Sequence, residues 1–566
     1  MCGIVGLLGE NIDTTVMDKM LEIQKHRGPD HSSKWNDNFI CLGHNRLSII
    51  DLSEKSNQPF FSNDKRYVIV FNGEIYNYIE LKSELKEFYD FKTSSDTEVL
   101  IAAYSLWGKD CLPKLNGMFS FAIWDTYDKT LFLARDRFGV KPLYYSLSNG
   151  VFTFASEIKT IHVSGITKQP NETVWASYFA YGSYGKPNET FWQSVEQLPG
   201  GHCMIVKNKQ VQIYRWYMFE REIKKYQKKE DFNTVKSNYK KLLEDSIKLR
   251  FRADVNVGFN ISGGVDSSTL LAFVNKMYGN DNINAYTFYT NDKRYDELFW
   301  VESMIQTTQC PLTKVLTTSD EVISLSKKIS FYQDEPYGGI PTIAYSKIFE
   351  SARNNGTLVL LDGQGMDEQW AGYDYYTKNI NAIIQGLKTT PFRPNVLKRE
   401  FLKKASKPVY KKPFSEEILN LQYRDLFYTK IPRALRFNDR ISMAHSTELR
   451  EPFLDHRLVE YAFSQPLLYK IKEGIQKYML RDIVREFLTD RISFAPKRPL
   501  QTPQREWLAG DLKEQVSQMI NEIKYSKFSH WFDITCLEKE WDHYQKGQQD
   551  SSFHVWQWMN YTQLVN

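Results

Sequence analysis

Residues 255–270, VNVGFNISGGVDSSTL, constrain the fold of this chain more than any other segment. Residues 255–261 are apolar and β-branched in the pattern of a buried strand, and an apolar helix is predicted from about Ser268. Between them, Gly263 and Gly264 let backbone N–H groups approach a ligand closely, because glycine has no Cβ. With the N-terminal end of the helix, these amides predict an anion site at a strand-to-helix turn.

Asp266 indicates which anion binds there. A carboxylate beside a phosphate site repels the phosphates unless a divalent cation lies between them, so the turn predicts a nucleotide with Mg²⁺ on Asp266. The chain has no Gly-x-x-x-x-Gly-Lys-Ser/Thr run, which the commoner phosphate loop requires. SGGVDS instead matches the loop of ATP enzymes that release pyrophosphate and activate a carboxylate as an adenylate. The alternative, a glycine-rich turn without a ligand, is less favoured because Ser267 and Ser268 follow in register.

Composition limits the remaining possibilities. With 566 residues, the chain exceeds the roughly 250–300 residues at which single cores stop growing, so two or more domains are expected. The net charge of +5 gives no reason to expect a nucleic-acid or membrane partner. No run approaches the ~20 apolar residues of a membrane span, and the N-terminus lacks a secretory signal. Six scattered cysteines favour a reducing, cytoplasmic setting.

The N-terminus begins Met1-Cys2-Gly3. Removal of Met1 is expected, and it leaves a cysteine with both a thiol and a free α-amine. An α-amine with a pKa near 8 can accept the thiol proton, so one residue serves as nucleophile and base. Taken alone, Cys2 is better explained as a buried apolar cysteine that opens a strand.

Further segments supply the groups that an amide-cleaving thiol needs. These are a cation for the substrate carboxylate, an anion for its α-amine and a neutral donor for the oxyanion. Arg46, Asp96 with Glu74, and Asn72 with the Gly73 amide provide them. The alternative reading is a set of surface ion pairs worth ~0–1 kcal/mol each. The segments are HRGPD at 26–30, RLSIID at 46–51, NGEIYN at 72–77 and SSDTE at 94–98.

These segments resemble the glutaminase domain of class II glutamine amidotransferases, as do MCGIVG at 1–6, ARDRFGVKPLYY at 134–145 and FASEIK at 154–159. With SGGVDSS downstream, the chain to about Trp507 resembles the bacterial glutamine-dependent asparagine synthetase family. The resemblance implies an α+β and α/β fold class. Residues 1–215 are expected to form a four-layer αββα N-terminal-nucleophile hydrolase domain. Residues 216–566 are expected to form a parallel-sheet domain like the adenine-nucleotide α-hydrolases, with the phosphate loop of the pyrophosphate-releasing enzymes.

The resemblance assigns roles in the first domain. It implies that Cys2 is the nucleophile that forms a γ-glutamyl thioester and that Asn72 and Gly73 form the oxyanion hole. It further implies that Glu74 and Asp96 bind the glutamine α-amine. The glutamine carboxylate and the pocket lining are assigned, respectively, to Arg46 and to the backbone of Leu47, Ser48, Ile49 and Ile50.

A second loop follows the predicted buried strand at 357–361: DGQGMDE at 362–368. Open α/β sheets bind ligands at the carboxyl ends of their strands. Asp367 is therefore expected to be the second Mg²⁺ ligand, opposite Asp266. The expected ATP contacts, which rest on the resemblance, are Ser262, Gly263, Gly264, Asp266, Ser267, Ser268, Asp362, Gly363 and Lys497, with Ile261 and Phe288 beside the adenine.

Gln364 departs from the family pattern. The best-known synthetases carry glutamate there, and that acid is implicated in forming the β-aspartyl adenylate, whereas an amide cannot act as a base. Three functions therefore stay open. The favoured one is a glutamine-hydrolysing asparagine synthetase that uses glutamine, ATP, aspartate and Mg²⁺, with a homodimer as the assembly considered. The second is the same chemistry on another carboxylate, such as a sugar acid or a peptide intermediate. The third is a catalytically idle binding scaffold.

The segment at 431–458 also follows the family pattern. Its polar residues lie within a helical apolar pattern, which is typical of a structural network. Such groups can also line a path between two sites or hold the acceptor. They are Arg440, His445, Glu448, Arg450 and Asp455.

Overall fold

The computed structural model describes residues 1–10, 12–226, 230–279, 283–376, 390–495, 501–549 and 551–565. The N-terminal half contains two six-stranded sheets with the orders β10-β8-β9-β1-β3-β2 and β12-β11-β7-β6-β5-β4, in which all pairs are antiparallel. The strands are β1 (Gly3–Leu8), β2 (His31–Asn36), β3 (Ile40–Arg46), β4 (Phe60–Phe61), β5 (Tyr67–Ile75), β6 (Gly117–Asp125), β7 (Thr130–Arg135), β8 (Tyr144–Ser148), β9 (Val151–Ala155), β10 (Glu196–Gln197), β11 (His202–Lys207) and β12 (Gln210–Arg215).

Helices cover the outer faces of these two sheets. The helices are α1 (Thr15–Ile23), α2 (Tyr78–Leu85), α3 (Asp96–Trp107), α4 (Ile158–Val163) and α5 (Glu172–Tyr181). Helix α1 packs on β1 and β3 of the first sheet, and α3 packs on β5 of the second. Alternate strand residues such as Ile4, Val70 and Trp124 are buried together between the sheets, as expected where two sheets pack face to face. The predicted αββα layers are confirmed.

The C-terminal half is built on a five-stranded sheet with the order β15-β14-β13-β16-β17. All its pairs are parallel, so the predicted parallel α/β class is confirmed. Its strands are β13 (Val257–Asn260), β14 (Ala285–Tyr289), β15 (Leu312–Leu316), β16 (Val359–Leu361) and β17 (Glu448–Arg450), and β18 (Ile471–Lys472) and β19 (Ile475–Gln476) form a separate hairpin.

Helices surround this sheet and continue to the C-terminus. They are α6 (Phe219–Glu222), α7 (Phe232–Arg250), α8 (Val265–Tyr278), α9 (Leu298–Thr308), α10 (Val322–Gln333), α11 (Ile340–Asn354), α12 (Met366–Gln369), α13 (Arg399–Leu402), α14 (Glu417–Phe427), α15 (Lys430–Met443), α16 (His456–Phe463), α17 (Leu467–Lys470), α18 (Tyr478–Val484), α19 (Asp490–Ser493), α20 (Gln504–Ala509), α21 (Lys513–Glu522), α22 (Ile534–Gln545) and α23 (Phe553–Val565). Among the described residues, none of them is long and apolar enough to cross a membrane.

Helix α8 begins earlier than predicted. It starts at Val265 rather than near Ser268, because the extended backbone of Gly264 caps it. The Ser268 hydroxyl donates to the Gly264 carbonyl at 2.8 Å, which satisfies one carbonyl of the turn. Asp266 and Ser267 therefore lie in the first helical turn, next to the N-terminal end of the helix.

The C-terminal helices pack against the N-terminal half. The ring centroids of Trp175 in α5 and Trp531 are 6.4 Å apart, and Gln557 in α23 hydrogen-bonds the Tyr178 carbonyl. Four tryptophans of the last segment are buried among these helices: Trp531, Trp541, Trp556 and Trp558. The two halves thus share one apolar core.

Candidate functional site

Cys2 lies immediately before β1 and is buried. Its backbone N–H donates to Asn72 Oδ1 at 3.0 Å, and its Sγ lies 3.9 Å from the Leu47 carbonyl oxygen. Burial raises the pKa of the Cys2 thiol, so the thiol needs a base before it can attack. The chain's amino group is on Met1, where it donates to Glu448 Oε2 at 2.8 Å. Cys2 therefore gains its own α-amine only when Met1 is removed.

Asn72 presents a spare donor beside the thiol. Asn72 lies in β5 and is fully buried, and its Nδ2 has no hydrogen-bond partner among the described residues. An unpaired buried donor costs about 1–3 kcal/mol, so its presence beside a nucleophile points to a ligand. Gly73 has a φ of +151°, and a Cβ there lies 2.1 Å from the Met118 carbonyl oxygen. Only glycine therefore fits next to Asn72.

Glu74, which lies near Cys2, and Asp96 are two buried carboxyls. Asp96 begins α3, and its Oδ2 accepts the Ile75 N–H at 2.9 Å. Burial raises the pKa of Asp96 to about 6. Burial and the nearby Glu448 carboxylate raise the pKa of Glu74 well above its usual range. Paired acids in a buried pocket favour a cationic ligand, because an ammonium stabilises their ionised forms.

Arg46 ends β3, and its buried guanidinium is held by the loop that follows. Nη1 donates to the Ser53 carbonyl at 2.7 Å and to Asn57 Oδ1 at 2.8 Å, and Nη2 donates to the Asp51 carbonyl. These acceptors are neutral, so they do not compensate the positive charge of Arg46. The arrangement fits the predicted carboxylate contact.

The segment 47–50 connects this pocket to the C-terminal half. The Ser48 N–H donates to Asp30 Oδ2 at 2.8 Å, and the Ile49 carbonyl accepts the Asp254 N–H at 2.9 Å. Leu47, Ile49 and Ile50 are buried. The predicted lining residues therefore lie between the thiol and the second domain.

The phosphate loop is held by its own serines. The Ser262 N–H donates to Ser267 Oγ at 3.1 Å, and Ser267 Oγ donates back to the Ser262 carbonyl at 2.7 Å. The Gly263 N–H donates to Glu297 Oε2 at 3.1 Å. The Gly263 N–H, which is predicted to bind a phosphate, therefore donates to a carboxylate oxygen in this structure. This backbone N–H is thus oriented to bind an anion.

The predicted magnesium ligands converge on one point. Lys477 Nζ lies 2.7 Å from both carboxylate oxygens of Asp266 and 2.5 Å from Asp367 Oδ1. Lys477 has a φ of +54° and lies directly before α18. A Cβ on Gly372 would lie 2.1 Å from Lys477 Cε and 1.9 Å from Asp367 Oδ1, so any other residue at this position must displace these two side chains.

This convergence fits a divalent cation beside the ATP phosphates. Within the described part of the chain, no group of three or more His, Cys, Asp or Glu side chains could hold a metal ion. Mg²⁺ is typically held by one or two carboxylates, with water and substrate phosphates as its other ligands. Asp266 and Asp367 can supply the two. Lys477 was missed from the sequence, where its only signal is a lysine in the family-like segment GIQKYMLRD at 474–482.

The second loop begins where β16 ends. The Asp362 N–H donates to the Arg450 carbonyl at 2.9 Å, and the Gly363 N–H donates to Asp362 Oδ1 at 2.8 Å. Gln364 follows and is half-buried. Burial raises the pKa of Asp362.

The predicted adenine contacts lie at the ends of neighbouring strands. Ile261 follows β13, and its N–H donates to the Tyr286 carbonyl of β14 at 2.9 Å. Phe288 is on β14. The predicted phosphate contact Lys497 lies outside the described residues.

The polar residues of segment 431–458 divide into two groups. Glu448, Arg450 and Asp455 lie between the two halves: Arg450 Nη2 is 3.6 Å from Glu74 Oε2, and Asp455 Oδ2 accepts Asn116 Nδ2 at 3.0 Å. Arg440 also crosses the interface, with Nη1 donating to the Ser156 carbonyl at 2.9 Å.

His445 belongs to another cluster, where it pairs with Ser346 Oγ at 3.0 Å.

Known proteins provide a further comparison. Residues 1–217 match the family described as glutamine amidotransferase domain, and residues 238–565 match the family described as asparagine synthase. Asparagine synthetase (glutamine-hydrolyzing) 3 of Bacillus subtilis is 29% identical, with 94% of this chain and 91% of that protein covered. Putative asparagine synthetase (glutamine-hydrolyzing) 2 of Methanocaldococcus jannaschii is 34% identical over 66% of this chain and 76% of its own length. Amidase chry2 of Gibberella zeae is 24% identical, with 89% of this chain and 87% of that protein covered.

Asn72→Ala tests the oxyanion donor. Removal of one preorganised donor typically costs about 100- to 1000-fold in kcat, and we expect a loss of that size in glutamine hydrolysis with little change in KM. The measurement is glutamate release at saturating glutamine. Amide formation from added ammonia serves as the control and should persist. A loss of only a few-fold would exclude Asn72 from the oxyanion hole.

Asp96 predicts an acid limb in the pH profile. Its pKa is about 6, so the carboxyl is ionised above that pH and becomes neutral as the pH falls through it. Because kcat/KM reports groups of the free enzyme, we expect kcat/KM for glutamine to fall below about pH 6. Asp96→Asn cannot ionise and should lack this limb. An identical limb in Asp96→Asn would assign it to another group.

Gly372→Ala tests the carboxylate and lysine cluster. The new Cβ collides with Asp367 Oδ1 and Lys477 Cε, so both groups must move. A displacement of about 1 Å can cost on the order of 100-fold in rate, and we expect such a loss in ATP-dependent pyrophosphate release. Glutamine hydrolysis at Cys2 is the internal control. Near wild-type pyrophosphate release would show that the cluster tolerates displacement.

Proposed function

Because the chain belongs to the asparagine synthase family, whose model matches residues 238–565, we propose that it is a glutamine-hydrolysing asparagine synthetase. The proposed reaction converts ATP, L-aspartate, L-glutamine and water into L-asparagine, L-glutamate, AMP and diphosphate. The observation that supports it is the presence of two separate clusters of the expected residues in one chain. The thiol of Cys2 lies beside the unpaired Asn72 donor, and Asp266 and Asp367 converge beside the phosphate loop.

The first site releases ammonia. The Cys2 thiol, deprotonated by its own α-amine after Met1 removal, attacks the glutamine side-chain amide. Asn72 Nδ2 and the Gly73 N–H stabilise the oxyanion. Glu74 and Asp96 hold the substrate ammonium, and Arg46 holds its carboxylate. Ammonia leaves, and water hydrolyses the γ-glutamyl thioester to glutamate.

The second site activates the acceptor. ATP binds as a substrate, with its phosphates at the Gly263 and Gly264 amides and the N-terminal end of α8. Asp266 and Asp367 would hold Mg²⁺, which would supply charge neutralisation for the phosphates. Lys477, which contacts both carboxylates, adds a fixed positive charge. The acceptor carboxylate attacks the α-phosphate and diphosphate leaves. Ammonia then attacks the acyl-adenylate, and AMP leaves.

A different acceptor is the second candidate. Gln364 cannot act as a base. At this position of the loop 362–368, the chain therefore differs from the best-known synthetases, which carry glutamate. Relatives named as amidases also align along most of the chain. The same chemistry on a sugar acid or a peptide carboxylate is therefore the alternative. The idle-scaffold hypothesis is disfavoured, because Cys2, Asn72, Asp266 and Asp367 are all present and brought together in two sites.

Product analysis tests the proposal. With aspartate, glutamine, ATP and Mg²⁺, we expect asparagine, glutamate, AMP and diphosphate in equal amounts, because adenylation releases AMP rather than ADP. Production of ADP would overturn the adenylation mechanism. Diphosphate without asparagine, together with amidation of another carboxylate, would favour the alternative acceptor.

Cys2→Ala is the matched control for this assay. It removes the nucleophile without touching the second site, so glutamine-driven amide formation should fall to background while ammonia-driven formation continues.

A further inference from the structure

Glu451 is a buried carboxyl with no well-formed hydrogen bond among the described residues. It directly follows β17 and is 4% exposed. Neither of its carboxylate oxygens has a partner at hydrogen-bond geometry in the described part of the chain, although the backbone N–H of Gln364 lies close enough to lower its pKa. Burying a charged group without a partner is costly in a protein interior. A chain that keeps such a group therefore has a use for it.

Glu451 lines a small cavity between the two halves of the chain. Tyr76 and Met118 line it from the N-terminal half, and Arg250 and His456 line it with Glu451 from the C-terminal half. Its volume of about 10 Å³ is close to the smallest that holds one water molecule. Ammonia is about the same size as water, so the cavity suits that molecule.

The other carboxyl that lines this cavity, Asp136, is already occupied. Its oxygens accept the backbone N–H groups of Phe138 at 3.1 Å, Val140 at 2.9 Å and Lys141 at 3.0 Å. Asp136 therefore serves the backbone turn. Of the two acids, Glu451 is the one that can receive a proton from a molecule in the cavity.

Glu451 also lies beside the loop 362–368, which contains Gln364. Strands β16 and β17 are parallel neighbours, and the Asp362 N–H donates to the carbonyl of Arg450, the residue before Glu451. The carboxyl of Asp362 raises the pKa of Glu451, and the backbone N–H of Gln364 lowers it. The acid is thus next to Gln364, the position at which this chain lacks one.

We propose that Glu451 is the general base of the amidation step and supplies a carboxyl beside Gln364, where the loop itself carries none. This inference rests on the proposed function. The nitrogen lone pair of ammonia forms the C–N bond to the acyl carbon of the adenylate, and a proton passes from nitrogen to the Glu451 carboxylate. The C–O bond to the phosphate then breaks, AMP leaves with the electron pair, and Glu451 returns its proton to solvent.

The surrounding charges support this role. Arg137 and Arg250 line the cavity, and their positive charge disfavours ammonium relative to neutral ammonia. Burial and Arg137 hold the pKa of His456 well below its usual range, so this side chain adds no charge. Burial and the Asp362 carboxyl raise the pKa of Glu451, whereas Lys141 and Arg250 lower it. A carboxylate with a raised pKa is a stronger base, and general bases work best with a pKa near the operating pH.

Glu451→Gln is the primary test, because it keeps the shape and removes the base. We expect amide formation from added ammonia to fall about 100-fold or more, while diphosphate release in a single turnover with the acceptor continues. Glutamine hydrolysis at Cys2 reports that the chain is folded. If Glu451→Gln does not fold, Glu451→Asp and Glu451→Ala are compared instead. Glu451→Asp should form more amide per diphosphate released than Glu451→Ala.

Two further measurements separate a base from a merely structural residue. The double variant Gln364→Glu with Glu451→Gln should recover amide formation at least about tenfold over Glu451→Gln, because it returns an acid to the same site. Wild-type amide formation at constant free ammonia should fall as the pH drops through the pKa of Glu451, and Glu451→Gln should lose that limb.

Glu460→Gln is the matched control. Glu460 is also a buried carboxyl with a raised pKa, about 7, but it accepts the Tyr217 hydroxyl at 2.8 Å and contacts neither site. Its variant should keep amide formation. An unchanged ratio of amide to diphosphate in Glu451→Gln would overturn the inference alone. A wild-type chain that forms neither product with any carboxylate would overturn the proposed function as well.

Discussion

The buried guanidinium of Arg450 ties the two halves of the chain together. Its Nε donates to Glu448 at 2.5 Å, its Nη1 donates to the carbonyls of Arg250 and Arg252 at 2.8 Å each, and its Nη2 lies 3.6 Å from Glu74. A buried charge is tolerated only when its partners are fixed around it. These partners come from β17, from the end of α7 and the residues after it, and from Glu74 in the N-terminal half, so Arg450 holds elements of the two halves together.

This closed junction matters for the proposed reaction, because ammonia must reach the second site unprotonated. In open water ammonia is largely converted to ammonium, which is not a nucleophile, and a closed interface excludes the water that does this. The interface here is formed by buried ion pairs such as Arg27 with Asp439 and by a small cavity lined with Arg137, Arg250 and Glu451. The cavity and its charges are therefore part of the proposed chemistry, together with the two sites.

The short-range part of the phosphate loop follows from the sequence, because Ser262 to Ser268 sit on one strand-to-helix turn. The position of Asn72 to Glu74 does not. The Asn-Gly pair at 72–73 is typical of a turn after a strand that ends at Phe71, whereas β5 continues through it to Ile75. The start of α8 was wrong by part of a turn, because the extended backbone of Gly264 caps the helix sooner than the apolar pattern indicates. Helix ends depend on such local hydrogen bonds, which periodicity does not register.

The sequence by itself determined the phosphate-loop motif, the N-terminal thiol motif, and the αββα and parallel-sheet classes. It also determined that position 364 carries a neutral glutamine. Only the tertiary structure brought Lys477 to Asp266 across 211 positions and placed Glu451 in the cavity beside Gln364. The physical reason is that these meetings arise from strand order and from packing between the halves. A lysine or a glutamate far along the chain carries no local signal of the partner it meets, and burial without a partner becomes visible only when the chain is folded.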